Sequence, residues 1–275
     1  MRFLSACLLL MLATPAAAER PLTRNEQAVI NFGFATQLGS GIYSLSGRTL
    51  QVYRLPFAYM LPVAEDARVR PRITLPLTLG FVDFKARDVV ESGVPERIDS
   101  LSFVPGLALH IVMREDWELE PFAEAGIARD QASEADQNVY AAGLRSRYDF
   151  GDGPTNWQLY NELVHVVVEQ DSLDRTDDFT RFRIGTTARR PFDTERSGRR
   201  ADFESYGLIE LILDPPGGPA SSRPAGGEAM QYEVGVTLGA TEPLRVWGIK
   251  LPRVGFGYRF GEGLSVYRVV FGSPY

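Results

Sequence analysis

Apolar and non-apolar side chains alternate one by one over most of the chain. Ile30, Phe32, Phe34 and Leu38 are interleaved with Asn31, Gly33, Ala35 and Gln37. Tyr53, Leu55, Phe57, Tyr59 and Leu61 stand against Val52, Arg54, Pro56, Ala58 and Met60. Ile73, Leu75, Leu77, Leu79 and Phe81 oppose Arg72, Thr74, Pro76, Thr78 and Gly80. Late in the chain, Tyr232, Val234, Val236 and Leu238 alternate with Glu233, Gly235, Thr237 and Gly239, and Val254, Phe256, Tyr258 and Phe260 with Gly255, Gly257 and Arg259. Successive strand side chains point to opposite faces, so each segment has one apolar face and one of glycine, small polar groups and charge. The pattern predicts an all-β chain of about twelve antiparallel strands. They fall near 27–38, 49–61, 69–82, 99–112, 117–128, 138–148, 156–168, 179–189, 203–213, 230–240, 244–260 and 263–272.

What occupies the non-apolar face decides between water and lipid as the solvent outside. A soluble sandwich carries Lys, Glu, Thr and Ser there. This chain carries Arg54, Arg72, Arg145, Arg147, Arg181, Arg183 and Arg259 on one set of strands and Glu118, Glu120, Glu124 and Glu233 on others, with glycine between them. Such rows suit a confined polar lumen, where bidentate pairs form and bulk is limited. The reading is a closed antiparallel transmembrane β-barrel whose lumen these residues line. The alternative is a soluble periplasmic ligand-binding barrel, lipocalin-like, with the apolar face turned inward and the arginines outward.

Two features break the alternation. Segments 161–168 and 206–213 are continuous apolar runs, and Pro56, Pro76, Pro105 and Pro121 fall inside proposed strands. Proline cannot donate to a ladder, so each predicts a bulge.

Met1-Arg2, the apolar stretch from Phe3 to Leu12 and the small residues from Ala13 to Ala18 read as a secretory signal peptide over 1–18, leaving 19–275 as the barrel domain. The single cysteine, Cys7, lies in that leader, so the mature chain has no thiol for a disulfide. No later stretch reaches the ~20 apolar residues of a spanning helix, and mean hydropathy is −0.12. Only a closed barrel could then cross a bilayer, because it leaves no unpaired edge in lipid. An aromatic content of 11% argues against a disordered tail, and a net charge of −6 against a nucleic-acid partner. An even strand count puts both termini at one end, with short turns there and long loops opposite. The connections at 114–116 and 241–243 are short and those at 84–98 and 214–229 long, as required; 190–202 is too long and 261–263 too short.

Counting back in twos from Tyr275 gives Ser273, Phe271, Val269 and Tyr267. These hydrophobic and aromatic positions resemble the C-terminal signal by which the barrel-assembly machinery recognises outer-membrane barrels. With the strand number and the segment Gly255-Phe256-Gly257-Tyr258-Arg259-Phe260, the chain resembles the solitary outer-membrane autotransporter-like barrel family. That resemblance implies a barrel domain in a Gram-negative outer membrane. Its partners would be membrane lipid, lipopolysaccharide and the assembly machinery, and it offers no catalytic or substrate residues to carry over. Only Glu19 to Glu26 lie between the leader and the first proposed strand, so no passenger is expected.

Candidate chemistry is sparse. The two histidines are His110, on a proposed inward face, and His165, in a β-branched run with no serine two residues away. There is no G-x-S-x-G elbow, the Gly255, Gly257 and Gly261 spacing does not fit a nucleotide loop, and no histidine pair has metal-ligand spacing. Asp171, Asp174, Asp177 and Asp178 form an acidic loop without calcium-loop spacing. The basic stretch Arg189, Arg190, Arg196, Arg199 and Arg200 reads as an exposed turn, or as a contact for lipid head groups. The expectation is a non-enzymatic barrel with no cofactor and no metal, acting as a narrow pore or surface scaffold. The competing enzymatic reading is an outer-membrane hydrolase acting on lipid or peptide through His110 or His165.

Overall fold

A computed structural model of the chain describes residues 40–45, 48–64, 66–82, 100–130, 135–151, 153–170, 175–193, 200–213, 228–240, 245–246, 249–250, 253–261 and 264–271. Its strands are β1 (Gly41–Leu45), β2 (Arg48–Met60), β3 (Val69–Val82), β4 (Ser100–Phe103) and β5 (Gly106–Arg114). There follow β6 (Trp117–Asp130), β7 (Ala135–Phe150), β8 (Asn156–Gln170), β9 (Arg175–Asp193) and β10 (Arg200–Leu213). The last are β11 (Glu228–Ala240), β12 (Arg245–Val246), β13 (Ile249–Lys250), β14 (Val254–Gly261) and β15 (Leu264–Phe271).

All but β12 and β13 form one 13-stranded antiparallel sheet. β4 and β5 both lie between β3 and β6, as two halves of one stave broken at Val104-Pro105. The sheet therefore has twelve staves. β2 pairs with β1 and with β3, and β1 pairs with β15, so the ring closes on itself. The proposed strand at 27–38 lies outside the described residues, among which the first stave is Gly41–Leu45. The proposed strand 244–260 is two things: the β12–β13 ribbon, and β14, which alone joins the ring. The connection at 190–202 is mostly ladder, since Arg200 pairs with Asp193. The short connection after Gly261 is made by Gly261 pairing with Leu264, at a φ of 148° that favours glycine.

The prolines correct the expectation of bulges. Pro56 faces Pro76 in an unbroken β2–β3 register. Two facing prolines can only occupy a pair that exchanges no N–H···O bonds, so neither loses a bond to the other. On its other side Pro76 meets the break at Val104-Pro105. Pro121 lies where the β5–β6 pairing lapses between Ala108–Phe122 and Ile111–Leu119. The prolines thus sit where a neighbouring ladder is already interrupted, and the one register shift recorded among the described ladders, at Val112 and Arg114, contains none.

The two faces of the ring differ, one apolar and exposed, the other charged and buried. Phe256 and Tyr267 are 67% and 70% exposed on the outer wall, with Leu107, Ile127, Leu163, Val234 and Leu238 among the other exposed apolar side chains. Glu210, Glu233 and Arg259 are 0% exposed inside. This is the opposite of the soluble, lipocalin-like orientation.

Because neighbours are antiparallel, chain entry into β1 and exit from β15 share one end, the terminal end. The interior toward the opposite, far end is packed: Val139, Val164, Val166, Phe179 and Ile212 are fully buried there with Ala128 and Ala141, beside buried Thr78, Ser100, Ser102, Gln137 and Gln231. Charge occupies the middle, and the terminal end is hollow.

Candidate functional site

Register builds the charged tier. Glu120 of β6 is opposite Arg145 of β7, Arg145 opposite Glu162 of β8, Glu162 opposite Arg183 of β9, and Arg183 opposite Glu210 of β10. Each is an inward position, so four ladders place acid and base side by side in one row. Arg145 donates to Glu162 at 2.7 Å and to Glu120 at 3.1 Å, and stacks over Phe122 at 3.8 Å. Arg181 donates to Glu162 at 2.8 Å and lies 3.9 Å from Glu210. Arg183 donates to Glu210 at 2.6 and 2.9 Å.

Three arginines extend the row by reaching over a neighbouring stave. Arg72 of β3 donates to Glu120 across β5, passing the small residue Ala108. Arg259 of β14 donates to Glu210 at 3.0 Å across β11 and to Glu233 at 2.7 Å. Arg268 of β15 donates to Glu233 at 2.5 Å across β14, at the level of Gly257. Arg268 also donates to the carbonyl of Ser40, whose hydroxyl bonds the backbone of Arg54. The result is an ionic belt that runs from β3 round to β15 and, through Ser40, to β2. Buried ions are costly alone, and here each carboxylate of the belt is shared by at least two guanidiniums.

The hollow at the terminal end is a vestibule of about 850 Å³ whose floor is the belt. Arg54 lies among the charges of Glu124, Glu162, Arg145 and Arg181. Glu124 is buried against Gly106, where a Cβ would come within 2.6 Å of its Cγ. At the mouth, Arg147 contacts Glu118 at 2.7 Å and Asp149 at 3.8 Å, and His110 lies 3.5 Å from Glu118. Across the mouth, Arg189 and Arg253 both clamp Asp202, and Glu204 is 3.8 Å from Arg253. Small and apolar side chains, including Ala58, Met60, Pro76 and Val270, make up another part of the lining.

The eleven charged residues read from the sequence as lumen rows line the vestibule or are buried in the charged tier, on the face away from the exposed apolar wall. Arg54, Arg72, Arg145, Arg181, Arg183, Arg259, Glu120, Glu124 and Glu233 belong to the belt or its floor; Arg147 and Glu118 stand at the mouth. Sequence reasoning missed Glu162, Asp202, Glu204, Glu210, Arg189, Arg253 and Arg268 as partners. It also placed the two histidines without their surroundings: His110 faces the vestibule, whereas His165 is on the outer wall, 3.1 Å from Thr180 and 4.0 Å from Asp178. Of the proposed C-terminal signal, Tyr267 points outward and Val269 is half-buried in β15. Tyr275, the Phe271 side chain, Asp171, Asp174, Arg196, Arg199's structure and residues 1–18 lie outside the described residues. Of the proposed acidic loop, Asp177 and Asp178 stand on β9, and of the basic stretch, Arg189 reaches the vestibule mouth; no group of three metal-ligating side chains occurs among the described residues.

No family model matches the chain, and no curated protein matches it by sequence. Among solved structures, the beta domain of the Bordetella autotransporter BrkA is similar at a TM-score of 0.49 and 9% identity, over 84% of this chain and 93% of that one.

Proposed function

We propose that the chain is a non-catalytic β-barrel of a Gram-negative outer membrane that acts as a sealed, surface-exposed scaffold rather than an open pore. Its terminal end faces the periplasm in this reading. The observation that carries it is the packed interior of the far half, where Val139, Val164 and Val166 are 0% exposed behind the ionic belt. Water and ions would meet first the paired charges and then this packed, mainly apolar layer. Membrane placement is supported by the closed ring together with the exposed apolar wall, because a closed barrel satisfies every backbone group without water. Residues 1–18 would direct export, and Tyr267, Val269, Phe271 and Tyr275 would be read by the assembly machinery. Outer-membrane lipid and lipopolysaccharide would surround the wall, with no nucleic acid, cofactor or metal involved.

The test is to express the full chain, separate the membranes, compare gel mobility before and after heating, and reconstitute the protein in a planar bilayer. Outer-membrane recovery, a heat-dependent mobility shift and no conductance steps are expected. Steady conductance whose ion selectivity changes when Arg181 and Arg183 are reversed in charge would replace the scaffold by a pore. Recovery as a soluble periplasmic protein would remove both.

A further inference from the structure

We infer that the vestibule binds a phosphate ester, a small molecule carrying a dianionic tetrahedral oxyanion. A volume of about 850 Å³ lies within the range of small-molecule sites, roughly 300–1,000 Å³. Nine arginines border it against six carboxylates among the described residues. The missing negative charge is not far away but covered: Asp202, Glu210 and Glu233 are all 0% exposed and do not line the cavity. These three carboxylates sit behind the lining, so the surface a solute meets is more positive than the interior as a whole.

The direction of approach favours phosphate over a lone carboxylate. Arg54 comes from β2, Arg145 from β7 and Arg181 from β9, three parts of the wall facing one floor. A carboxylate accepts several donors but only around its own plane, whereas a tetrahedral oxyanion accepts donors from directions that share no plane. At the mouth, Arg147 and Arg189 keep 43% and 38% of their side chains exposed. Each of these two carries five N–H donors, of which the contacts with Glu118, Asp149 and Asp202 engage only part. The apolar strip of Ala58, Met60, Pro76 and Val270 would receive the carbon portion of the ester. The inference does not depend on the membrane in which the barrel resides.

The experiment is calorimetric titration of the full chain in an uncharged detergent with glycerol 3-phosphate, with acetate and dihexanoyl phosphatidic acid in parallel. The variant pair is Arg147→Gln with Arg189→Gln. Neither change leaves its carboxylate alone, because Glu118 keeps His110 and Asp202 keeps Arg253, and the heat-dependent mobility shift checks that the ring is intact. One-to-one binding of glycerol 3-phosphate, weakened about tenfold or more in the double variant and unchanged by Arg129→Gln on the outer rim, is expected. Tighter, equally Arg-dependent binding of dihexanoyl phosphatidic acid would assign the same phosphate chemistry to a lipid head group. Absence of binding by both phosphates, binding of acetate with equal affinity, or indifference to the double variant in an intact ring overturns the inference and leaves the scaffold reading untouched.

Discussion

The hydroxyl of Tyr206 donates to Glu233 at 2.8 Å, and its ring reaches that carboxylate by lying across two glycines. Tyr206 is opposite Gly235, and Gly235 is opposite Gly257. A Cβ on Gly235 would meet the tyrosine ring at 2.4 Å and the Phe256 carbonyl at 2.6 Å; one on Gly257 would meet the hydroxyl at 2.2 Å. The glycines of the inward face therefore make room for the belt, and their alternation with aromatics follows from that packing.

Gly235→Ala should destabilise the barrel by about 1–3 kcal/mol, the range for overpacking a filled interior. Backbone as well as side chain obstructs the new methyl there. Gly207→Ala is the comparison, because its added Cβ would come no nearer than 4.0 Å to the Glu233 carbonyl. Urea unfolding followed by gel mobility checks both. Equal midpoints for the two variants would refute the role assigned to Gly235.

Glu162 holds Arg145 and Arg181 at hydrogen-bond distance and lies 3.8 Å from Arg183. Glu162→Gln should cost about 3–5 kcal/mol, since it removes one buried negative charge from three arginines that then keep Glu120 and Glu210 between them. Asp136→Asn removes one exposed partner of Arg129, an ion pair at 2.6 Å, and should cost about 1 kcal/mol or less. The same unfolding assay separates them. Comparable losses would mean that the belt contributes no more than a surface pair.

The outer wall makes the converse prediction. Val236→Arg places a charge among exposed apolar side chains and should cost about 2–4 kcal/mol near the bilayer midplane. Folding into vesicles of neutral lipid, monitored by the mobility shift, is the measurement. Unimpaired folding would mean that this wall does not meet hydrocarbon.

The fold was legible because lipid outside and charge inside enforce period two, as in Val254–Phe260 and Tyr232–Leu238. The charged partners were less so, for a reason visible in β8. Inward Glu162 is followed by inward Val164 and Val166, while Leu163 and Val167 point outward. Where the inward positions are packed with apolar side chains, both faces are apolar, alternation vanishes, and the glutamate is lost in an apolar run. Glu210 is hidden in the same way beside Leu208 and Ile212. Hairpin symmetry was the available signal. Arg145 and Glu162 are equidistant from the centre of the connection between their strands, as are Arg183 and Glu210. The vestibule has no such signature, because it arises from side chains of many staves stopping short of the terminal end.

The orientation of the two faces is tested most directly by spin labels on one strand. With Cys7 as the chain's single cysteine, replaced in the leader, Leu163→Cys and Gln158→Cys each offer one site on β8, on the outer wall and in the vestibule. In lipid vesicles, the label at 163 should collide with dissolved oxygen far more than with a water-soluble nickel chelate, and the label at 158 should show the reverse. A label at 163 open to the chelate while 158 is shielded would contradict an apolar wall in lipid around a charged interior.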